Sequence, residues 1–217
     1  MTDRTPPADA DGDGPAADAP LPVVNSHVHA PPNFSAFRRP ADVIAAAQAQ
    51  GVKAIGFSNF FDQRVYAQLG EAARAAGVVA LYGLEFIAVV PELAASGVRV
   101  NDPANPGRMY VCGKGVDPAR QTPRMAELAA AVRAGNDARA AAMAERVAAE
   151  LAAAGFDAGL TADVIAARTA ERAGVPVEWV SLQERHIAEA VQTALAALPS
   201  DRRAAVLAAV YGRPSAV

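Results

Sequence analysis

The sequence predicts an α/β fold: a front part built from strands alternating with helices, followed by an all-α region. Three observations predict it. Between Pro22 and Val90, short apolar and β-branched runs alternate with helical runs in the order βαβαβ, with short connections. Each of the two helical runs is followed by a glycine, Gly51 and Gly77, the residue that most readily closes a helix C-terminus. From Pro123 onward the strand signal disappears and Ala/Glu/Arg-rich runs dominate. Alternation of this kind argues for parallel strands covered by helices. An open doubly wound sheet and a barrel both begin this way, and the pattern does not separate them.

The elements follow in order. Residues 1–20 are rich in Asp, Ala, Pro and Gly and cannot bury enough apolar surface to offset chain entropy, so a disordered tail is expected there. Pro22 to His29 reads as a strand whose β-branched start leads into polar residues, and Pro31-Pro32 ends it. Pro40 to Gln50 reads as a helix with proline in its first turn. Val52 to Ser58 is a second strand, Arg64 to Ala76 a second helix, and Val78 to Val90 a third strand with an expected break at Gly83. Asn101 to Gly107 is turn-rich, and Arg108 to Cys112 has strand character. Pro123 to Ala154 is a long helical stretch with an expected interruption near Gly135. A helix capped by Thr161 should stop near Gly174-Val175-Pro176. Further helices are expected from Glu178 to Ala197 and from Ser200 to Tyr211. The resulting division is 1–20, 21–122 and 123–217.

Composition narrows the function classes. A chain of 217 residues with 52% hydrophobic residues can bury a sizeable core. The longest apolar runs are strand-sized, well short of the roughly 18 residues of a membrane span. A net charge of −3 without a basic block gives no nucleic-acid footprint. The single cysteine, Cys112, excludes an intramolecular disulfide and a multi-cysteine metal cage; it is expected to be a buried structural thiol. The N-terminus lacks the basic start and apolar segment of a signal peptide, and a cytoplasmic protein is expected.

The chemistry-bearing feature is His27-Val28-His29, which holds two of the three histidines of the chain. On a strand, residues i and i+2 point to the same side, so both imidazoles can reach one metal ion while Val28 packs on the other face. The pair lies where a strand ends and its loop begins, the edge that carries ligands in parallel α/β folds. Glu85 is a carboxylate within the apolar run Tyr82 to Ile87, and a buried carboxylate needs a partner or a metal.

Val24-Asn-Ser-His-Val-His29, a helix, Gly51-Val-Lys-Ala-Ile-Gly-Phe-Ser-Asn59, and then Gly83-Leu-Glu85 together resemble the opening of PHP (polymerase and histidinol phosphatase) domains. The resemblance covers roughly Val23 to Val90. It implies the front part of a distorted, seven-stranded PHP-type β/α barrel, divalent metal ions (zinc, manganese or iron) and hydrolysis of phosphate esters. It places His27, His29 and Glu85 as metal ligands. Two departures stand out. Where the family has Thr-Asp-His at the end of the second strand, this chain has Ser58-Asn59-Phe60; Asn59 is left as a weak substrate contact or ligand, and Asp62 as a residue that could substitute after a loop shift. The far half offers only His186, in Gln183-Glu-Arg-His-Ile-Ala-Glu189, which resembles the helix start that follows a helical insertion in some PHP phosphoesterases; it is a weak candidate for substrate contact.

Asn105 to Gly115 fails as a phosphate loop, since Gly107 and Gly113 are separated by five residues and Gly115 follows Lys114. Arg108 and Lys114 remain candidates for contact with a substrate phosphate. Trp179 reads as a packing anchor. The expected function is thus a metal-dependent phosphoesterase acting on a phosphorylated small molecule or nucleotide. The alternatives are a non-catalytic PHP-like binding or regulatory module and a metal-dependent hydrolase of another β/α-barrel type. Association with a complementary second half, or self-association, is expected of an open barrel front.

Overall fold

The computed structural model describes residues 21–214 of the chain. The tail expected over residues 1–20 lies outside the described residues. Four strands form one curled sheet in the order β1 (Val23–Val28), β2 (Val52–Phe57), β3 (Val79–Val89), β4 (Arg108–Lys114). Helices α1 (Pro40–Ala49) and α2 (Tyr66–Ala75) connect the first three strands, which run parallel. A short helix α3 (Pro91–Ala95), not anticipated, follows β3.

The expectation of parallel strands, drawn for Pro22 to Val90, holds for β1 to β3; β4, whose direction the sequence left open, pairs antiparallel with β3. The connection explains this. A parallel return must carry the chain back along the whole length of the sheet, whatever the length of the connection. Here the one-turn helix α3 and the Asn101–Gly107 turns bring the chain back beside the top of β3.

Nor does β3 break at Gly83. It changes partner there: up to Tyr82 it pairs with β2, and from Gly83 onward with β4. Both neighbours crowd this position. A Cβ on residue 83 would lie 2.5 Å from the Gly113 carbonyl oxygen and 2.8 Å from that of Phe57, so only glycine fits.

Helices α1 and α2 bury one face of the sheet. Val43, Ile44, Ile55, Phe57, Tyr66, Leu69 and Val78 form this core, and Val28 and Trp179 pack against it. The opposite face is open at its lower end, where Val24, Val79 and Leu81 are each more than half exposed.

The remainder is helical. Helix α4 (Pro123–Ala153) is capped by Thr122, whose hydroxyl accepts from the Met125 N–H. It runs through Gly135 without interruption, contrary to expectation. One glycine costs a helix only about 1 kcal/mol, less than the flanking Ala/Glu/Arg turns supply. Helix α5 (Ala162–Ala173) starts at Thr161, which accepts from the Val164 N–H, and ends at Gly174 with φ +69°. Helix α6 (Glu184–Ala196) begins six residues later than the sequence suggested. A short 3-10 turn, Val177–Trp179, and an extended segment precede it. Tertiary contacts hold that segment open: Leu182 enters the helical core and the Ser181 hydroxyl binds the Asp62 carboxylate. Helix α7 (Ser200–Tyr211) closes the layer. The helices pack mainly on one another, through Ala140, Ala144, Leu151, Ile165, Ile187, Leu195 and Val206. No helix among the described residues is long and apolar enough to cross a membrane.

Candidate metal centre

Three side chains converge at the upper end of the sheet. The Oε2 atom of Glu85 lies 3.0 Å from His27 Nε2 and 3.2 Å from His29 Nε2. The two Nε2 atoms lie 3.2 Å apart. His27 is at the end of β1, His29 begins the following loop, and Glu85 projects from β3 between them. The backbone fixes Glu85 on both sides: its N–H donates to the Asn59 carbonyl at 3.0 Å and its C=O accepts from the Phe61 N–H at 3.1 Å.

The two Glu85 edges of the triangle have donor spacing without hydrogen-bond geometry, while the two imidazole nitrogens lie within hydrogen-bond reach of each other. Glu85 Oε2 is buried, yet no hydrogen bond reaches it with acceptable angles. Three atoms of ligand type therefore face a common point. A tetrahedral first-row ion with ligands at about 2.0–2.1 Å would hold its donors about 3.4 Å apart, close to the spacings seen. Burial holds His29 below the usual imidazole pKa, opposed by the Glu85 carboxylate and reinforced by His27 and Lys114. The neutral imidazole so favoured is the form that ligates metal. These are the residues that fit a divalent cation.

The surroundings orient the ligands unequally. Phe60 lies against the His29 ring at 4.9 Å between centroids, and Phe34 meets it edge-on at 5.8 Å. His29 Nδ1 is buried without a partner, whereas metal-bound histidines usually donate from this second nitrogen. His27 Nδ1 instead faces the Cys112 thiol at 4.0 Å. This corrects the expectation of a buried structural cysteine. Cys112 is exposed, although its register partner Glu85 is buried.

The other candidates are placed differently. Asn59 is buried and does not line the cleft. Its Oδ1 accepts from the Ala30 N–H at 2.7 Å and its Nδ2 donates to the Ala30 carbonyl at 3.1 Å. Asp62 makes no shift toward the ligands: Arg64 binds both its oxygens and Ser181 donates to one of them. Lys114 lies beneath the centre, where its ammonium donates to the Ser26 carbonyl at 2.8 Å and to the Ser58 hydroxyl at 2.6 Å. His186 is buried in the first turn of α6, with Nδ1 accepting from the Gln183 N–H at 3.0 Å.

Of the weak substrate candidates, Arg108 alone lines the cleft over the three ligands, a space of about 880 Å3. Asp102 holds its Nε at 3.3 Å. Sequence reasoning missed Arg139 on α4, which reaches the same cleft and is tethered by Glu184 and the Asn136 side chain. It also missed Tyr110. Nothing local marks Arg139; it is one arginine of many on a long helix, and only the docking of α4 selects it.

No family model and no curated protein matches this chain. Solved structures do. The chain has the fold of the front part of a β/α barrel followed by a helical region. A "putative metal-dependent phosphoesterase" from Bifidobacterium adolescentis superposes with a TM-score of 0.59 at 20% identity, over 88% of this chain and 56% of that one. An amidohydrolase from Chromobacterium violaceum, with bound sulfate and no metal, gives a TM-score of 0.53 at 21% identity, over 89% and 57%. The chain thus spans little more than half the length of either structure.

Proposed function

We propose that the chain is a metal-dependent hydrolase of phosphate esters, with His27, His29 and Glu85 holding the ion. The observation that carries the reading is the convergence of two Nε2 atoms and a buried, unbonded Oε2 within 3.0–3.2 Å. The metal-dependent name of one structural neighbour and the hydrolase name of the other accord with it.

The chemistry that a divalent ion supplies is polarisation of a phosphoryl oxygen and acidification of water. The chain's own residues do the rest. Glu85 and the two imidazoles present one carboxylate and two ring-nitrogen donors at the floor of the cleft. Arg108 and Arg139 flank the cleft and offer planar, forked donors suited to phosphate oxygens. Asp102 and Glu184 restrain these guanidinium groups, so less freedom is lost when substrate binds. Phe34, Phe60 and Phe61 form an apolar wall that excludes water from one side of His29.

A second reading is favoured by a specific observation: Asn59, Phe60 and Asp62 supply no further ligand, so the described residues offer three protein donors to one ion. A non-catalytic module that binds a phosphorylated ligand through the same centre fits that donor set. Hydrolysis of p-nitrophenyl phosphate and its diester, with zinc, manganese or iron added in turn, separates the two. The proposal expects turnover that requires metal and falls at least about a hundredfold in Glu85→Ala. Metal-dependent binding without turnover would assign the chain to the second reading.

A further inference from the structure

We propose that the cavity between the loop after β1 and helices α5 and α6 binds a phosphate oxyanion, either free or as the head of a small phosphoester. The cavity, about 430 Å3, lies beside the metal cleft but shares none of its lining residues. Its volume falls within the range of about 300–1,000 Å3 typical of small-molecule sites. Arg38, Arg172 and Arg185 line it, against one carboxylate, Glu189. In a chain of net charge −3 this is a local excess of cation.

Each arginine keeps donors available. Among the described residues, no ion pair engages Arg38 or Arg185. The Arg185 guanidinium lies over the Phe34 ring, its central carbon 4.9 Å from the centroid. A cation held on an aromatic face rather than by a carboxylate keeps N–H donors for an anion. Arg172 pairs with Glu189 through one terminal nitrogen, while its Nε is buried without a partner. A buried donor left unsatisfied costs about 1–3 kcal/mol, a penalty that a bound oxyanion removes.

His186 closes one wall of the cavity without adding a free donor, because its other ring nitrogen faces the Asn33 backbone carbonyl. Its Nδ1 accepts from the Gln183 N–H, so the neutral ring carries its proton on Nε2. The local field agrees: burial first, then Arg172 and Arg185, push this histidine down to about 4. Guanidinium forks lining one cavity suit the oxygens of phosphate, which they bind through charge-assisted, bidentate hydrogen bonds.

The test is phosphate titration of the full chain by calorimetry and thermal melting at constant ionic strength, with glucose 6-phosphate as the ester probe. The His27→Ala/His29→Ala variant removes binding through a metal at the other site. Both probes should raise the melting temperature of the wild type and of that variant. Arg38→Gln and Arg185→Gln should each weaken binding about tenfold or more, loss of a charge-assisted hydrogen bond being worth about that much. Tighter binding of the ester would make an ester the ligand, and equal binding would make it free phosphate. The proposal is overturned if neither probe binds, if binding disappears with His27 and His29, or if the Arg38→Gln/Arg185→Gln double variant binds as the wild type does.

Discussion

Asn59 and Ala30 hold each other through two hydrogen bonds, the Asn59 carboxamide accepting from the Ala30 N–H and donating to its carbonyl. The resemblance to PHP domains implies aspartate at this position. An aspartate could accept from the N–H but would face the carbonyl with a second oxygen. Asn59→Asp should therefore lower stability by about 1–3 kcal/mol, the cost of an unsatisfied buried group. It should add no second metal, because the side chain stays turned into the loop. Urea denaturation and metal titration of the variant check both points; a second equivalent of bound metal would contradict the packing account.

The same junction depends on Tyr66. Its hydroxyl accepts from the Asn59 N–H and donates to the Gly83 carbonyl, both at 2.8 Å. Tyr66→Phe strands both backbone groups in the core and should cost about 2–4 kcal/mol. Since Asn59 and Gly83 frame Glu85, metal affinity should fall with stability. Chemical denaturation and zinc titration of the variant would show the two losses together; a loss of stability with unchanged affinity would uncouple the junction from the centre.

His186 sets a pH dependence. Its folded pKa of about 4 lies below the ordinary 6.5, so the folded protein keeps it neutral while the unfolded chain takes up a proton. Its contribution is present in full above pH 6.5 and is lost as pH falls toward 4. The loss should amount to about 3 kcal/mol at most. Urea midpoints of metal-free wild type and His186→Asn should converge over this window as pH falls. Parallel curves would show that His186 is not held neutral in the fold.

Gly135 offers a gain. It lies within α4, and an added Cβ meets nothing within 4 Å. Gly135→Ala should raise stability by about 1 kcal/mol through helix propensity alone. A lowered melting temperature would mean that α4 is not a continuous helix at this point.

Much of the front half was legible because its signals are local. His27 and His29 share a side through strand periodicity, and Gly51 and Gly77 mark helix ends without reference to the rest of the fold. Glu85 stood out as a carboxylate in an apolar strand. What was misread or left open has a common cause in tertiary context. The direction of β4, which the sequence left open, depends on how the chain returns after α3. The late start of α6 depends on Ser181 reaching Asp62 and Leu182 entering the helical core. The pairing of Cys112 with Glu85 across β3 and β4, and the exposure of its thiol, are not revealed by the spacing of the two residues. Arg139 and the arginine cavity exist only once α4, α5 and α6 have docked.

His27, His29 and Glu85 are the proposed metal ligands. The most direct measurement is metal stoichiometry by elemental analysis after reconstitution with zinc, manganese or iron. Wild type, His27→Ala/His29→Ala and Glu85→Ala are compared, with circular dichroism confirming that each is folded. The account predicts close to one ion per chain in the wild type and loss of that ion in both folded variants. A wild type that binds no metal, or variants that retain it, would contradict the account.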